Sequence, residues 1–319
     1  MNAFRRAVAV LALGLPGQLI AQQPWATVAS PTTQTLWDAT YGNNQFVAVG
    51  EGGAILTSPD GAAWTLRPSG TTRWLLDATW STAARQFVVV GDAGTILTSP
   101  DGIAWTARTS GSTQRLNSVA WSPKRFTSPN VFLAVGENGT ALVSYDLVTW
   151  TLRPTGESGW LRGIAGNYTD TFIITGHDGT ILTTHDAGET FQRRTSGTTF
   201  HLDAVTRWGN DFFATGSNFV FTRSNFDGTT WVLDRTVNTD GRENGIVYNG
   251  LVAFNNALVI VGDQGRIIDE AGRPWAATEP LFRGWRAVAA SRDRVVAVGT
   301  GGGIASAPLD PGIMLEYDI

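Results

Sequence analysis

The chain has 319 residues, a formal net charge of −4 and no cysteine. Without cysteine neither a disulfide framework nor a thiolate metal site can form, and the mild acidity excludes a general nucleic-acid binder, which needs clustered basic residues to neutralise phosphates. With 37 glycines and only 16% charged residues, the composition belongs to a turn-rich globular fold and not to a coiled coil or a disordered chain.

Arg5 and Arg6 precede the apolar stretch 7–15, Pro16 and Gly17 follow, and Ala21 stands before Gln22. A charged start, a short apolar run and a small residue at the cut form the order of a secretory signal. The run is well short of the ~20 apolar residues of a membrane-spanning helix. The expected organisation is a signal peptide over residues 1–21 and a mature domain over residues 24–319. That domain is expected to work without membrane insertion in the periplasm or outside a bacterial cell.

From residue 46 onward one text recurs. An apolar run ends at Gly50, Gly91, Gly136, Gly176, Gly216, Gly262 and Gly299, spaced 37 to 46 residues apart. A period of that length with only strand-type patterning means a propeller blade of four strands. In each unit the first strand follows a leucine, as in LWDATY from Leu36 and LLDATW from Leu75. The second strand is the run ending at the marker glycine, and a tight turn such as Glu137-Asn138-Gly139 leads to the third. The fourth begins at an aromatic residue: Trp64, Trp105, Trp150, Phe191, Trp231 or Trp275. The sequence therefore predicts an all-β chain, a single seven-bladed β-propeller of four-stranded antiparallel blades.

WATVASPTTQ, from Trp25, copies the fourth-strand text WTLRPSGTT from Trp64, and the last unit lacks a comparable tryptophan after its third strand. The N-terminal strand is thus expected to complete the last blade, closing the ring and removing two sheet edges. The C-terminal segment IMLEYDI also reads as a strand, either an alternative for that place or an addition to it.

Between the third and fourth strands stand SPDGAAW, SPDGIAW, SYDLVTW, THDAGETF and FDGTTW. In each, an aspartate (Asp60, Asp101, Asp146, Asp186, Asp227) can accept hydrogen bonds from its own turn, and a following aromatic folds onto the sheet. The pattern resembles the Asp-box, or BNR, repeat. Together with the VG-x-x-G text that precedes it, it resembles the photosystem II assembly and stability factor family. That resemblance implies a seven-bladed, non-catalytic propeller of an export compartment that binds membrane-protein intermediates, with the five aspartates in a structural role.

Asp-boxes also decorate sialidases, so a glycan-binding or glycan-hydrolysing propeller is the rival reading. The N-terminal Arg-Ile-Pro segment of sialidases is absent, as are nucleophile elbows, phosphate loops and His-x-x-x-His pairs. No enzymatic activity and no cofactor are expected. Three columns of residues repeat across the units. One is acidic, in the strand 2–3 turn: Glu51, Asp92, Glu137, Asp178 and Asp263. One is basic, three residues after the strand 4 aromatic: Arg67, Arg108, Arg153 and Arg194. The third leads into strand 1 and is rich in the tryptophan and arginine that dominate binding hot spots. It nominates a face for a protein partner made by Trp74, Arg115, Trp160, Arg162, Phe200, His201, Arg283 and Trp285. His177 and His201 fall on that same face; with Asp178 or Asp203 they could form a zinc set, a reading ranked below one without metal. The mature chain is expected to be a monomer.

Overall fold

The computed structural model describes residues 24–122, 130–167, 170–218, 221–225, 227–233, 247–254, 257–269, 274 and 284–309. Seven antiparallel sheets surround a central channel. In blade 1 the strands run Leu36–Gly42, Gln45–Gly50, Ile55–Ser58 and Thr65–Arg67, in that order from the channel outward. Blades 2 to 5 repeat this order with inner strands Leu75–Ser81, Leu116–Ser122, Leu161–Gly166 and Leu202–Trp208. Blade 6 has three strands among the described residues, from Tyr248–Phe254 to Ile267–Asp269; Trp275 and the fourth strand expected there lie outside them.

Blade 7 takes its outer strand from the other end of the chain. Ala26 pairs with Ser306 and Thr27 with Ala305, and the Val28 N–H donates to the Ile304 carbonyl. The N-terminal strand therefore closes the ring, as its text implied. The competing segment 313–319 lies outside the described residues. Trp25 is fully buried, and Ser30 caps the following loop onto Thr32 just as Ser69 and Ser110 cap theirs onto Thr71 and Ser112.

The apolar core is divided among the blade junctions. Blades 1 and 2 meet through Val47, Val49, Leu75 and Phe87, and blades 4 and 5 through Ile173, Ile181, Leu202 and Phe212. The ring-closing junction joins Leu36 and Leu56 of blade 1 to Val296 and Ile304 of blade 7. Each strand 2 is buried on both sides because it packs on a neighbouring blade at either face, which is why it reads as a continuous apolar run and not as an alternating one.

The marker glycines have a spatial cause. Gly91 lies at φ −172°, extended backbone open to any residue. A Cβ there would sit 2.0 Å from the Trp74 carbonyl oxygen, and at Gly50, Gly136, Gly176, Gly216, Gly262 and Gly299 the corresponding clash is again with a backbone carbonyl. That carbonyl belongs to the residue just before the inner strand, and it accepts the N–H of the strand 2–3 turn: Asp92 to Trp74, Glu137 to Arg115, His177 to Trp160. The contact fastens the strand 2–3 turn to the entry of the inner strand, and both stand at one end of the channel.

At the opposite end the strand 3–4 turns are capped by their own aspartates. Asp101 Oδ1 accepts from the Ile103 and Ala104 N–H groups and from Ser99 Oγ, and Trp105 Nε1 donates to the Gly102 carbonyl. The Ala104 and Ile103 amides hold the Asp101 carboxyl below the usual carboxylate range. Asp60 and Asp146 repeat the arrangement, while Asp186 and Asp227 use the Thr190 and Thr229 amides and hydroxyls. In blade 3 Leu147 takes the glycine's place at φ +63°, and among the described residues Trp150 Nε1 finds no acceptor. Asp101→Ala is expected to lower the unfolding free energy by about 1 kcal/mol, because the freed amides are exposed and turn to water. A chemical-denaturation midpoint compared with the parent checks this. The depressed carboxyl contributes at neutral pH and is lost as pH falls below about 4, so the difference between the two proteins should shrink in acid.

Candidate binding face at the channel mouth

Every inner strand carries a register irregularity between its first and third residues, at Leu36/Asp38, Leu75/Asp77, Leu116/Ser118, Leu161/Gly163, Leu202/Ala204, Tyr248/Gly250 and Trp285/Ala287. A bulge takes one residue out of the ladder and re-aims its side chain. The residues so released are Trp37, Leu76, Asn117, Arg162, Asp203, Asn249 and Arg286, and all seven line a channel cavity of about 340 Å³. This column, one residue beyond the entry position, supplies most of the polar chemistry of the mouth.

Its members reach to the next blade. Arg162 Nε meets Asp203 Oδ1 at 2.9 Å, Asn117 Nδ2 donates to the Leu161 carbonyl, and Asn249 Nδ2 donates to the Trp285 carbonyl. Arg286 Cζ lies 5.3 Å from the Trp37 ring, which stacks with Trp74 at 6.0 Å and 28°. Arg115 Cζ stands 5.7 Å from the Trp74 ring and its Nε 3.3 Å from Asp92 Oδ1. Arg286, Trp37, Trp74 and Arg115 thus form one continuous cation–aromatic array across blades 7, 1, 2 and 3. Cation–π contacts of this kind contribute roughly 0.5–1 kcal/mol each where exposed. Trp74 keeps 39% of its surface open to solvent.

A second array crosses blades 4 and 5. Arg162 Cζ lies 5.8 Å from the Trp160 ring, Trp160 stacks on His177 at 5.3 Å, and His177 stacks on His201 at 4.0 Å. The two imidazoles lie face to face, which is the geometry of a stack and not of two ligands converging on one ion. Among the described residues no group of three His, Asp or Glu side chains is placed to hold a metal. Phe200, beside His201, is 45% exposed.

Of the eight residues nominated from the sequence, Trp74, Arg115, Trp160, Arg162, Phe200 and His201 stand at this mouth. Arg283 lies outside the described residues. Trp285 is a correction: it is fully buried, because it occupies the first position of its inner strand, where the other blades carry Leu36, Leu75 or Leu116, and packs into the junction of blades 6 and 7. Trp37 and Arg286 were not nominated. Their signal was their place directly after the residue that opens each inner strand, the same place as Arg162.

The other two columns also resolve. Asp178 does not belong with Glu51, Asp92, Glu137 and Asp263. It takes the second place of its turn, at φ +53°, and His177 takes the first. Glu51 accepts from the Thr35 N–H, Asp92 meets Arg115, and Asp263 meets Arg286 at 3.3 Å, so these carboxylates are committed separately and do not converge. Arg67, Arg108 and Arg194 donate to Thr57, Thr98 and Thr183 of the adjoining strand, while Arg153 pairs with Glu189 of blade 4.

The carboxyls that do converge are Asp38 and Asp77, deeper in the channel. Asp38 accepts the Ala78 N–H, Asp77 accepts the Val119 N–H and Ser118 Oγ, and the two carboxyls are near enough to repel each other. Burial, with the repulsion of Asp77 added, holds Asp38 well above the usual carboxylate range. A raised folded value means a contribution fully present below about pH 4 and lost as pH rises through that value. Asp38→Asn keeps an acceptor for Ala78 and removes the charge that Asp77 repels. It is therefore expected to be more stable than the parent at neutral pH, with the gap closing toward pH 4. Thermal unfolding at several pH values checks the sign.

No family model matches the chain, and no curated protein matches it. Its fold is nevertheless that of known propellers. Over 93% of this chain and the whole of the other, it superposes on YCF48 bound to D1 peptide with a TM-score of 0.69 at 14% identity. YCF48 from Cyanidioschyzon merolae gives 0.66 at 16% identity, covering 89% of this chain and 98% of that one. The WD40 repeats of RRP9 give 0.73 at 12% identity, covering 91% and 100%. Identities this low speak for the seven-bladed fold alone.

Proposed function

We propose that the chain is an exported, non-enzymatic propeller that holds a protein partner at the channel mouth. The observation that carries this reading is the array Arg286–Trp37–Trp74–Arg115, a preformed run of the residue types that anchor protein interfaces. Its side chains are held by their own contacts, so little conformational freedom is lost when a partner docks. The text of residues 1–21 supports export. The separate commitment of the turn carboxylates supports a scaffold over a glycosidase, whose two carboxyls must flank one bond. YCF48 has been captured with a peptide on the same fold, which supports a polypeptide ligand as the class.

The test is affinity capture from an envelope extract of the native organism. Trp74→Ala with Arg115→Ala is expected to abolish capture while leaving the melting temperature nearly unchanged. Charge reversal at Arg67, Arg108 and Arg153 is expected to leave capture intact. The opposite pattern would move the binding surface to the outer rim and overturn the assignment.

A further inference from the structure

The blade junctions at the mouth are built on one plan with different chemistry. At the junction of blades 2 and 3 the first residue of the strand 2–3 turn is Asp92, and it meets Arg115 from the entry of the next blade. At the junction of blades 6 and 7, Asp263 meets Arg286. At the junction of blades 4 and 5 the turn residue is His177, and the residue in Arg115's place is His201. Here a permanently charged pair is replaced by two stacked imidazoles, groups whose charge depends on a single proton each.

We propose that this junction is an acid-operated joint: on acidification, protonation of the His177–His201 pair parts the stack and loosens the blade 4–5 sector of the mouth.

The geometry requires neutral rings. His201 Nδ1 accepts the Asp178 N–H at 3.1 Å, so the His201 proton sits on Nε2. Protonation at Nδ1 turns that acceptor into a donor aimed at a donor, and the bond is lost. The same bond helps hold Asp178 in left-handed backbone at φ +53°, a conformation costly for a residue other than glycine. Two imidazolium rings with centroids 4.0 Å apart repel, and Arg162, over the Trp160 ring, adds a third cation. The anions facing the stack are Asp203 and Asp178. Asp203 is engaged by Arg162 at 2.9 Å. Asp178 Oδ1 lies 3.9 Å from His201 Nδ1, within reach of an ion pair once the turn moves. Burial, then His201 and then Arg162, already hold His177 below its ordinary value. For a base depressed on folding, the stabilising contribution is present at neutral pH and is lost as pH falls, which is the direction of the switch. His201 carries Phe200 with it, so on the binding reading above the same opening would release a partner; the joint itself does not depend on that reading.

The experiment needs no partner. Hydrogen exchange at the Asp178 amide, corrected for intrinsic rate, is followed from about pH 7.5 to about pH 5 beside the ring resonances of His177 and His201. The expected result is a fall in protection of severalfold that follows the ring titration. The Asp92 amide, at a junction of permanent charges, should keep its protection. His201→Gln can accept the Asp178 N–H without titrating and should hold protection flat. Unchanged protection in the parent, or an equal loss in His201→Gln, would overturn the proposal. Failure of capture at Trp74 and Arg115 would sink the binding reading and leave this result untouched.

Discussion

Trp25→Ala is expected to lower the unfolding free energy by about 3–5 kcal/mol, the cost of deleting a large aromatic side chain from a packed site. Trp25 is fully buried among Val259, Val261, Trp285 and Ala305, so its ring fills the junction of blades 6 and 7 from a position 280 residues away in sequence from Ala305. The loss has a second component. The strand it anchors, Ala26–Thr27, supplies the outer edge of blade 7. Removing residues 25–33 altogether should therefore cost more than the point substitution, because the Ile304–Pro308 strand then becomes an open edge. Equilibrium denaturation of the parent, Trp25→Ala and the truncated chain measures both steps. A truncated chain as stable as the parent would show that the ring does not need this closure.

Gly91→Ala is expected to destabilise by about 1–3 kcal/mol, and toward the upper end, because the added methyl meets backbone and not a movable side chain. The Trp74 carbonyl oxygen stands 2.0 Å from where that carbon must go, and the same carbonyl accepts the Asp92 N–H. Relief requires the strand 2–3 turn to lift from the inner strand, which also displaces the Asp92–Arg115 contact at the mouth. Gly111→Ala serves as the contrast. Nothing lies within 4 Å of its added carbon, and its φ of +71° leaves only backbone strain. Strain of that kind costs about 1–2 kcal/mol. Melting temperatures of the two variants should rank in that order, and Gly91→Ala alone should weaken capture.

The blade count, the strand order and the N-terminal closure were legible in the chain. A propeller repeats one local unit, so each blade writes its strands and turns in the same text, and the stray copy at Trp25 announces where it belongs. The turn-capping aspartates were legible for the same reason: their hydrogen bonds run to amides two to four residues away. The mouth was legible in part. Trp74, Arg115 and Trp160 stand out because the entry position repeats.

What sequence alone could not show is the bulge. Period-two alternation says which residues share a face, but the irregularity after the first inner-strand residue shifts that register, and so Trp37 and Arg286 turn into the channel mouth. Trp285 failed in the opposite sense. Its neighbours are arginine and glycine, so it reads as part of a polar loop, yet the junction of blades 6 and 7 claims it as core. The pairing of His177 with His201 likewise depends on blades 4 and 5 lying side by side, which brings residues of two different repeats to 4.0 Å. The amino-acid sequence by itself thus determined the repeat, the strands, the caps and the closing of the ring, because those interactions are local or copied from blade to blade. Which side chains meet at the mouth was decided only by the tertiary structure, because those contacts cross from one blade to the next and no repeat spells them out.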